Sequence, residues 1–238
     1  MSDGLYAAVA GAVAQGQAYE TVSNNLANIS SHGFKGDRVS FKEVLASNNG
    51  QTNVELRQVA VDKIVPDFNQ GPVRTTGAPL DAAIEGDGFF VVATPNGERL
   101  TRNGAFTLTS DGQLISPDGL PVLGNTGPVQ VRGDRPARID ARGNVWDGDV
   151  IANQLRIATV ADRTTLSREG ASLWRPNNPQ ALVPVEPRVV AGALEQSNIS
   201  AVQGMTEIVL LSRAYESFHQ VIEIFRNADQ KTSNDLGK

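Results

Sequence analysis

The sequence predicts an α+β chain, helical at both ends and all-β, sandwich- or barrel-like, in the middle. Three observations carry this. Apolar residues near each terminus recur at helical steps. Between about residues 54 and 194 the apolar runs are short and punctuated by turn signals. The 238-residue chain holds 23 Gly and 12 Pro but only 5% aromatic residues, which favours many short strands and turns.

Over residues 3–29, Leu5, Ala12, Tyr19 and Leu26 recur every seven residues, with Ala8, Val22 and Ile29 beside that line. Ala7, Ala10, Gly11, Ala14, Gly16 and Ala18 lie between them, so a second helix can approach closely. Gly11 and Gly16 each cost an isolated helix up to about 1 kcal/mol relative to Ala. This helix is therefore expected to depend on partners. Asn28, Ser30, Ser31 and Gly33 mark its end.

The C-terminal helix has a stronger pattern. Ser197-Asn198 is the expected N-cap pair, followed by a Pro-free run to about Asp229. Ile208, Leu211, Tyr215, Phe218, Ile222 and Phe225 follow alternating steps of three and four, a heptad seam no strand could use. Val202, Met205, Val209 and Val221 widen that face. About thirty helical residues make a rod of about 45 Å. The plain alternative is a core helix packed on its own domain.

In the middle, the expected strands are Val54–Val61, Leu80–Ile84, Phe89–Ala93, Arg99–Thr101, Ala105–Leu108, Gln113–Ile115, Val129–Val131, Arg138–Asp140 and Leu155–Val160. Pro95-Asn96-Gly97, Asn103-Gly104, Asp111-Gly112, Asp118-Gly119 and Arg142-Gly143-Asn144 separate them, and Asn103-Gly104 is the strongest hairpin signal. The expected organisation is a helix over 1–30, a connector with extended segments over 31–75, a β domain over 76–194 and a second helix over 195–238, paired with the first.

The chemistry-bearing residues are few. A net charge of −5 without a basic stripe gives no reason to expect nucleic acid. No cysteine is present, which excludes disulfides and thiolate sites. No apolar stretch is long enough for a membrane span, and Met1–Gln15 lacks the basic start and apolar run of a Sec-type signal peptide. His32 and His219, the only histidines, have no Cys or paired carboxylates at ligand spacing, so no metal is expected. Asp81, Glu85 and Asp87 surround a strand and turn, where carboxylates are usually solvated. Asp147-Gly148-Asp149 lacks the other ligands of a calcium loop, and Gly86-Asp87-Gly88 lacks the third glycine and helix of a nucleotide site. No catalytic residue and no cofactor is expected.

From Asn24 to Lys35 the sequence Asn-Asn-Leu-Ala-Asn-Ile-Ser-Ser-His-Gly-Phe-Lys resembles the N-terminal signature of bacterial flagellar rod and hook proteins. Asn25, Leu26, Ala27, Asn28, Gly33, Phe34 and Lys35 carry it, with Ser31 where the family usually has Thr. Gln70-Gly71-Pro72, Pro79-Leu80-Asp81, Ala83 to Phe90 and Thr101 to Phe106 resemble the shared central domain, with Leu100 in place of a frequent aromatic. Gly192, Leu194, Glu195, Ser197 and Asn198, then Met205, Arg213 and Tyr215-Glu216, resemble the C-terminal segment. The short 42–69 stretch is most similar to the proximal-rod branch.

The resemblance implies a structural, non-enzymatic subunit of the flagellar basal-body rod. It would be exported unfolded through the type III apparatus without cleavage and would assemble with its own copies and neighbouring rod proteins inside the surrounding rings. The assembly contacts it implies are Leu5, Ala12, Tyr19, Val22 and Leu26 on the first helix, with the six-residue seam on the second, forming a coiled-coil layer. Phe41 and Leu45 fit the Phe-x-x-x-apolar form of an export-gate motif. The alternatives are a distal-rod or hook-type relative, or a cell-wall-binding β domain with helical dimerisation ends.

Overall fold

The computed structural model describes residues 2–46, 56–132, 135–186 and 188–236. They form two units. One takes Met1–Ala27, Asp37–Asp67 and Ile199–Lys238; the other takes Asn28–Gly36 and Phe68–Asn198.

The first unit contains α1 (Ser2–Ala27), β1 (Asp37–Ala46), β2 (Leu56–Pro66) and α2 (Ala201–Leu236). The two helices pack antiparallel, as their glycines reveal. A Cβ placed on Gly4 would come within 2.8 Å of Phe225, one on Gly11 within 2.5 Å of Phe218, and one on Gly16 within 3.7 Å of Tyr215. At the opposite end Gly204 faces Leu26. The glycines of α1 are thus the hollows that receive the aromatic rings of α2. Their propensity cost is offset by packing that a side chain would block.

The N-cap of α2 is Ser200, not Ser197-Asn198: Ser200 Oγ accepts a long bond from Gln203 N–H at 3.5 Å. Asn198 is committed elsewhere, to the backbone of Gly36. At the end of α1, Asn25 bonds both ways with Asp37, donating to its carbonyl at 2.8 Å and accepting from its N–H at 2.9 Å. That clamp fixes where β1 starts. β1 and β2 form an antiparallel hairpin whose register shifts between Ser40 and Phe41. The shift breaks the two-residue alternation, which is why this stretch reads as a plain connector from sequence.

The second unit is all-β. Its N-terminal strands are β3 (Val73–Thr75), β4 (Ala82–Ile84), β5 (Phe89–Thr94) and β6 (Gly97–Thr101). An antiparallel six-stranded sheet runs in the order Leu166–Glu169, Leu173–Pro176, β6, β5, Ile157–Val160, Leu182–Pro184. Phe89, Phe90, Val91 and Val92 of β5 are all buried. Phe89 and Val91 join Leu100, Val160 and Trp174 in one apolar cluster, whereas Phe90 and Val92 join Phe106, Leu114 and Val145 in another. A continuous apolar run is what a strand covered on both faces requires.

Several expected strands shift. Ala105–Leu108 shortens to Thr107–Leu108, and Val129–Val131 is replaced by Gly127–Pro128 paired with Leu123–Gly124. Asn103-Gly104 is not a hairpin turn, since β6 pairs with β5 and Leu173–Pro176, and Thr107–Leu108 pairs with Leu114–Ile115. Gly104 is needed for a different reason: a Cβ there would overlap the Ala82 carbonyl oxygen. The β5–β6 hairpin turns instead at Pro95-Asn96, between paired Thr94 and Gly97.

A turn next to Trp146 is organised by one carboxylate. Asp140 accepts from the N–H groups of Arg142 (2.8 Å) and Asn144 (3.0 Å), from the Asn144 side chain (2.9 Å) and from the Trp146 indole (2.8 Å). Partial burial pushes its pKa up, but these four bonds outweigh that and hold it below 3.8.

Two predictions follow from this geometry. Replacing Gly11 by Ala, which ordinarily favours a helix, should instead destabilise the helix pair by about 1–3 kcal/mol through overpacking on Phe218. Gly204→Ala, where the nearest side-chain atom is 3.6 Å away, should stabilise it by up to about 1 kcal/mol. Thermal melts followed by circular dichroism would show opposite shifts. For Asp140, the depressed folded pKa means its stabilisation is present above the unfolded value and lost as pH falls through the folded one. The Trp146 indole N–H resonance should therefore titrate in acid with a midpoint below 3.8. A midpoint at or above that value would remove the role assigned to the turn.

Candidate functional site

The most constrained part of the second unit is a buried ionic clasp where four passes of the chain meet. Gly33 to Gly36 supply the first, Asn69 to Gly71 the second, Arg102 the third, and Leu194 to Asn198 the fourth. Glu195 sits at the centre. Its Oε1 accepts from Lys35 Nζ at 2.5 Å and from Gly71 N–H at 3.0 Å, and its Oε2 accepts from Arg102 Nη1 at 3.2 Å. Lys35 and Glu195 are each 1% exposed. They are separated by 160 residues in sequence.

Other donors of the clasp reach backbone carbonyls and one side-chain oxygen. Lys35 Nζ also reaches the Asn69 carbonyl at 2.8 Å, and Arg102 Nη2 the Gly86 carbonyl at 2.6 Å. Gly33 N–H donates to the Glu195 carbonyl at 2.8 Å, and Gly36 N–H to Asn198 Oδ1 at 2.8 Å. Arg168 donates to the Lys35 carbonyl and lies over the rings of Phe34 and Trp174, 4.8 and 4.5 Å from their centroids. Burial lowers the pKa of Arg102, with Glu195 opposing that effect. Arg102 Nε is buried without a partner among the described residues.

Two glycines admit this closeness. A Cβ on Gly33, whose φ is +69°, would overlap the Arg102 backbone, and one on Gly71 would overlap the Gln196 carbonyl. Strand pairing finishes the closure: β3 pairs with Ala193–Glu195, and Gly192 turns at φ +66°.

The structure thus brings together Gly33, Phe34, Lys35, Gly192, Leu194, Glu195, Ser197 and Asn198 in one unit, with Phe34, Leu194 and Ser197 buried. Asn28 accepts from Ser31 N–H at 3.1 Å in the same unit. Asn25, Leu26 and Ala27 close α1 in the other. Arg168 and Asn69 were not singled out by the sequence. No local pattern marks them, because their partners lie 133 and 34 residues away.

On the helix pair, Ala12 and Val22 are buried, Leu5 and Leu26 half-buried, and Tyr19 exposed. Ile208, Leu211, Phe218, Ile222 and Phe225 are half-buried, and Tyr215 is exposed. Gly16, Tyr19, Glu20, Ser212 and Tyr215 line an open notch of about 400 Å³. Phe41 is exposed on β1, whereas the Leu45 side chain lies outside those described.

Three other acidic residues have partners of their own. Asp81 accepts from the Thr76 hydroxyl at 2.5 Å, Asp87 pairs with Arg163 at 2.5 Å, and Asp147 accepts from Arg132 N–H at 3.1 Å. His219 stacks edge-on against Tyr215, its ring 4.5 Å away. Among the described residues no group of three or more His, Asp or Glu is placed to hold a metal ion.

Long terminal helices that leave apolar residues exposed, beside a β body whose first and last segments meet, fit the class of structural assembly proteins. The comparisons give that class a family. Residues 5–35 match the model of the flagella basal body rod protein, 83–171 that of the flagellar hook protein FlgE/F/G D1 domain, and 190–235 that of the flagellar basal body rod FlgEFG protein C-terminal region. The chain is 30% identical over 245 residues to the flagellar basal-body rod protein FlgF of Rhizobium meliloti (strain 1021), covering 100% of this chain and 99% of the relative. The FlgF protein of Caulobacter vibrioides is 29% identical with the same coverage, and the FlgG protein of Bacillus subtilis is 28% identical over 92% of this chain. The chain belongs to the flagellar basal-body rod protein family. Its role is that of a structural rod subunit.

Gly33→Ala should destabilise the clasp well beyond the roughly 1–2 kcal/mol expected for a left-handed non-glycine residue alone. Gly77→Ala is the control, because its φ is +77° and nothing lies within 4 Å of the added carbon. Urea titrations of both variants should separate close approach from backbone strain; equal losses would deny the close approach.

Proposed function

We propose that the chain is a subunit of the proximal rod, delivered by the type III export apparatus, which self-assembles into the helical driveshaft carrying torque across the periplasm. α1 and α2 form its inner, coiled-coil layer, built with neighbouring copies and neighbouring rod proteins. The β body is sandwich- or barrel-like, and the surrounding rings are further partners of the subunit. The subunit performs no catalysis.

The observation that carries this reading is apolar surface left over on the helices. Tyr6 is 68% exposed and Val202 75%, and Val9, Val13, Met205, Val209, Leu210 and Ile224 are exposed as well. Such a surface marks an interaction site. Heterologous contacts that do not close into a ring build a tube. Leu5, Ala12, Tyr19, Val22 and Leu26, with Ile208, Leu211, Tyr215, Phe218, Ile222 and Phe225, are the layer's seam, and the exposed set extends it between protomers. Coverage of 100% against the FlgF relative and 92% against the FlgG relative supports the proximal over the distal position. Phe41, which with Leu45 forms the export motif, is exposed on β1.

A Met205→Glu/Leu210→Glu chain should keep its helical circular dichroism as a purified protein yet fail to enter basal bodies and leave cells non-motile. Normal swimming with normal incorporation would refute the proposed layer.

A further inference from the structure

We infer that the Lys35–Glu195–Arg102 cluster is a completion switch for the β body: the two cations keep it open until Glu195, the last of the three along the chain, supplies the charge that allows them to be buried together. Lys35 and Arg102 have side chains only 1% and 4% exposed, and Glu195 0%. Both cations pair with the one carboxylate, and Arg102 Nε is unpartnered among the described residues. Burying either cation without the carboxylate is far more costly than any single contact in the body is favourable.

Around Arg102, no second acid among the described residues substitutes for Glu195. Asp87, the other carboxylate whose field reaches Arg102, is already paired with Arg163 at 2.5 Å. The segment that carries Glu195 also completes the backbone. Gly33 N–H donates to the Glu195 carbonyl, Gln196 N–H to the Pro72 carbonyl and Thr76 N–H to the Gly192 carbonyl. A polypeptide made from its N-terminus holds both cations long before residue 195 exists, so an incomplete chain carries its own obstacle to closing. Apolar residues of similar volume would stabilise such a core at least as well. What they would lack is this dependence on the final segment.

Amide hydrogen exchange on the full-length chain tests the switch. In Glu195→Gln, which keeps the shape and an acceptor oxygen, the amides of Gly33, Thr76 and Gln196 should exchange at least about a hundredfold faster. Adding Lys35→Met and Arg102→Met to that variant should return their protection to within about tenfold of the parent. Unchanged protection in Glu195→Gln would overturn the switch. A triple variant as labile as the single one would do the same, because Glu195 would then act by packing and hydrogen bonding, not by charge.

Discussion

Four distant passes of the β body meet at one residue, Glu195, whose carboxylate binds Lys35, Gly71 and Arg102. It holds an ammonium 2.5 Å away and a guanidinium 3.2 Å away, and its own backbone carbonyl holds Gly33. A buried ion group of this kind adds little net stability compared with apolar packing. Its geometry is selective, however. Sliding the Ala193–Glu195 strand by one residue against β3 would turn the carboxylate to the other face, away from both cations. The clasp therefore fixes the register of the closing strand, and the apolar clusters on either side of β5 supply the burial energy.

Glycine sets how closely the remaining elements can meet, in two different ways. On α1, Gly4 and Gly11 are hollows for Phe225 and Phe218, so the helix gives up propensity in exchange for ring packing. In the body, Gly33, Gly71 and Gly104 lie where the backbone of another segment occupies the space of a Cβ. Only the first of these three has a positive φ among the glycines so described. Turn propensity alone thus says little about why such residues are there.

That distinction explains what was legible in the sequence. Both helices were, because the heptad steps of Ile208 to Phe225 are a local signal with a single solution. β5 was, because four consecutive buried apolar residues need cover on both sides. Asn103-Gly104 misled because its dipeptide preference is local, whereas the constraint on Gly104 comes from Ala82. β1 was hidden by its own bulge. The signature residues were recognisable through family resemblance, but their meeting at Glu195 was not, since Lys35 and Glu195 are joined only by tertiary structure. Arg168 had no signal at all.

The division of the chain adds a constraint that neither unit shows alone. Each unit is assembled from stretches that are not adjacent in sequence: 1–27, 37–67 and 199–238 in one, 28–36 and 68–198 in the other. The first cannot gain its α1–α2 packing before residues such as Phe218 and Phe225 are available, and the second cannot form the clasp before residue 195. Contacts of such high sequence separation carry a large loop-closure entropy and form late. A chain with local hairpins but long-range closure remains extensible while incomplete. For a subunit proposed to travel unfolded and assemble at its destination, late closure of both units is the property that transport requires, and it is built from where the partners lie along the sequence.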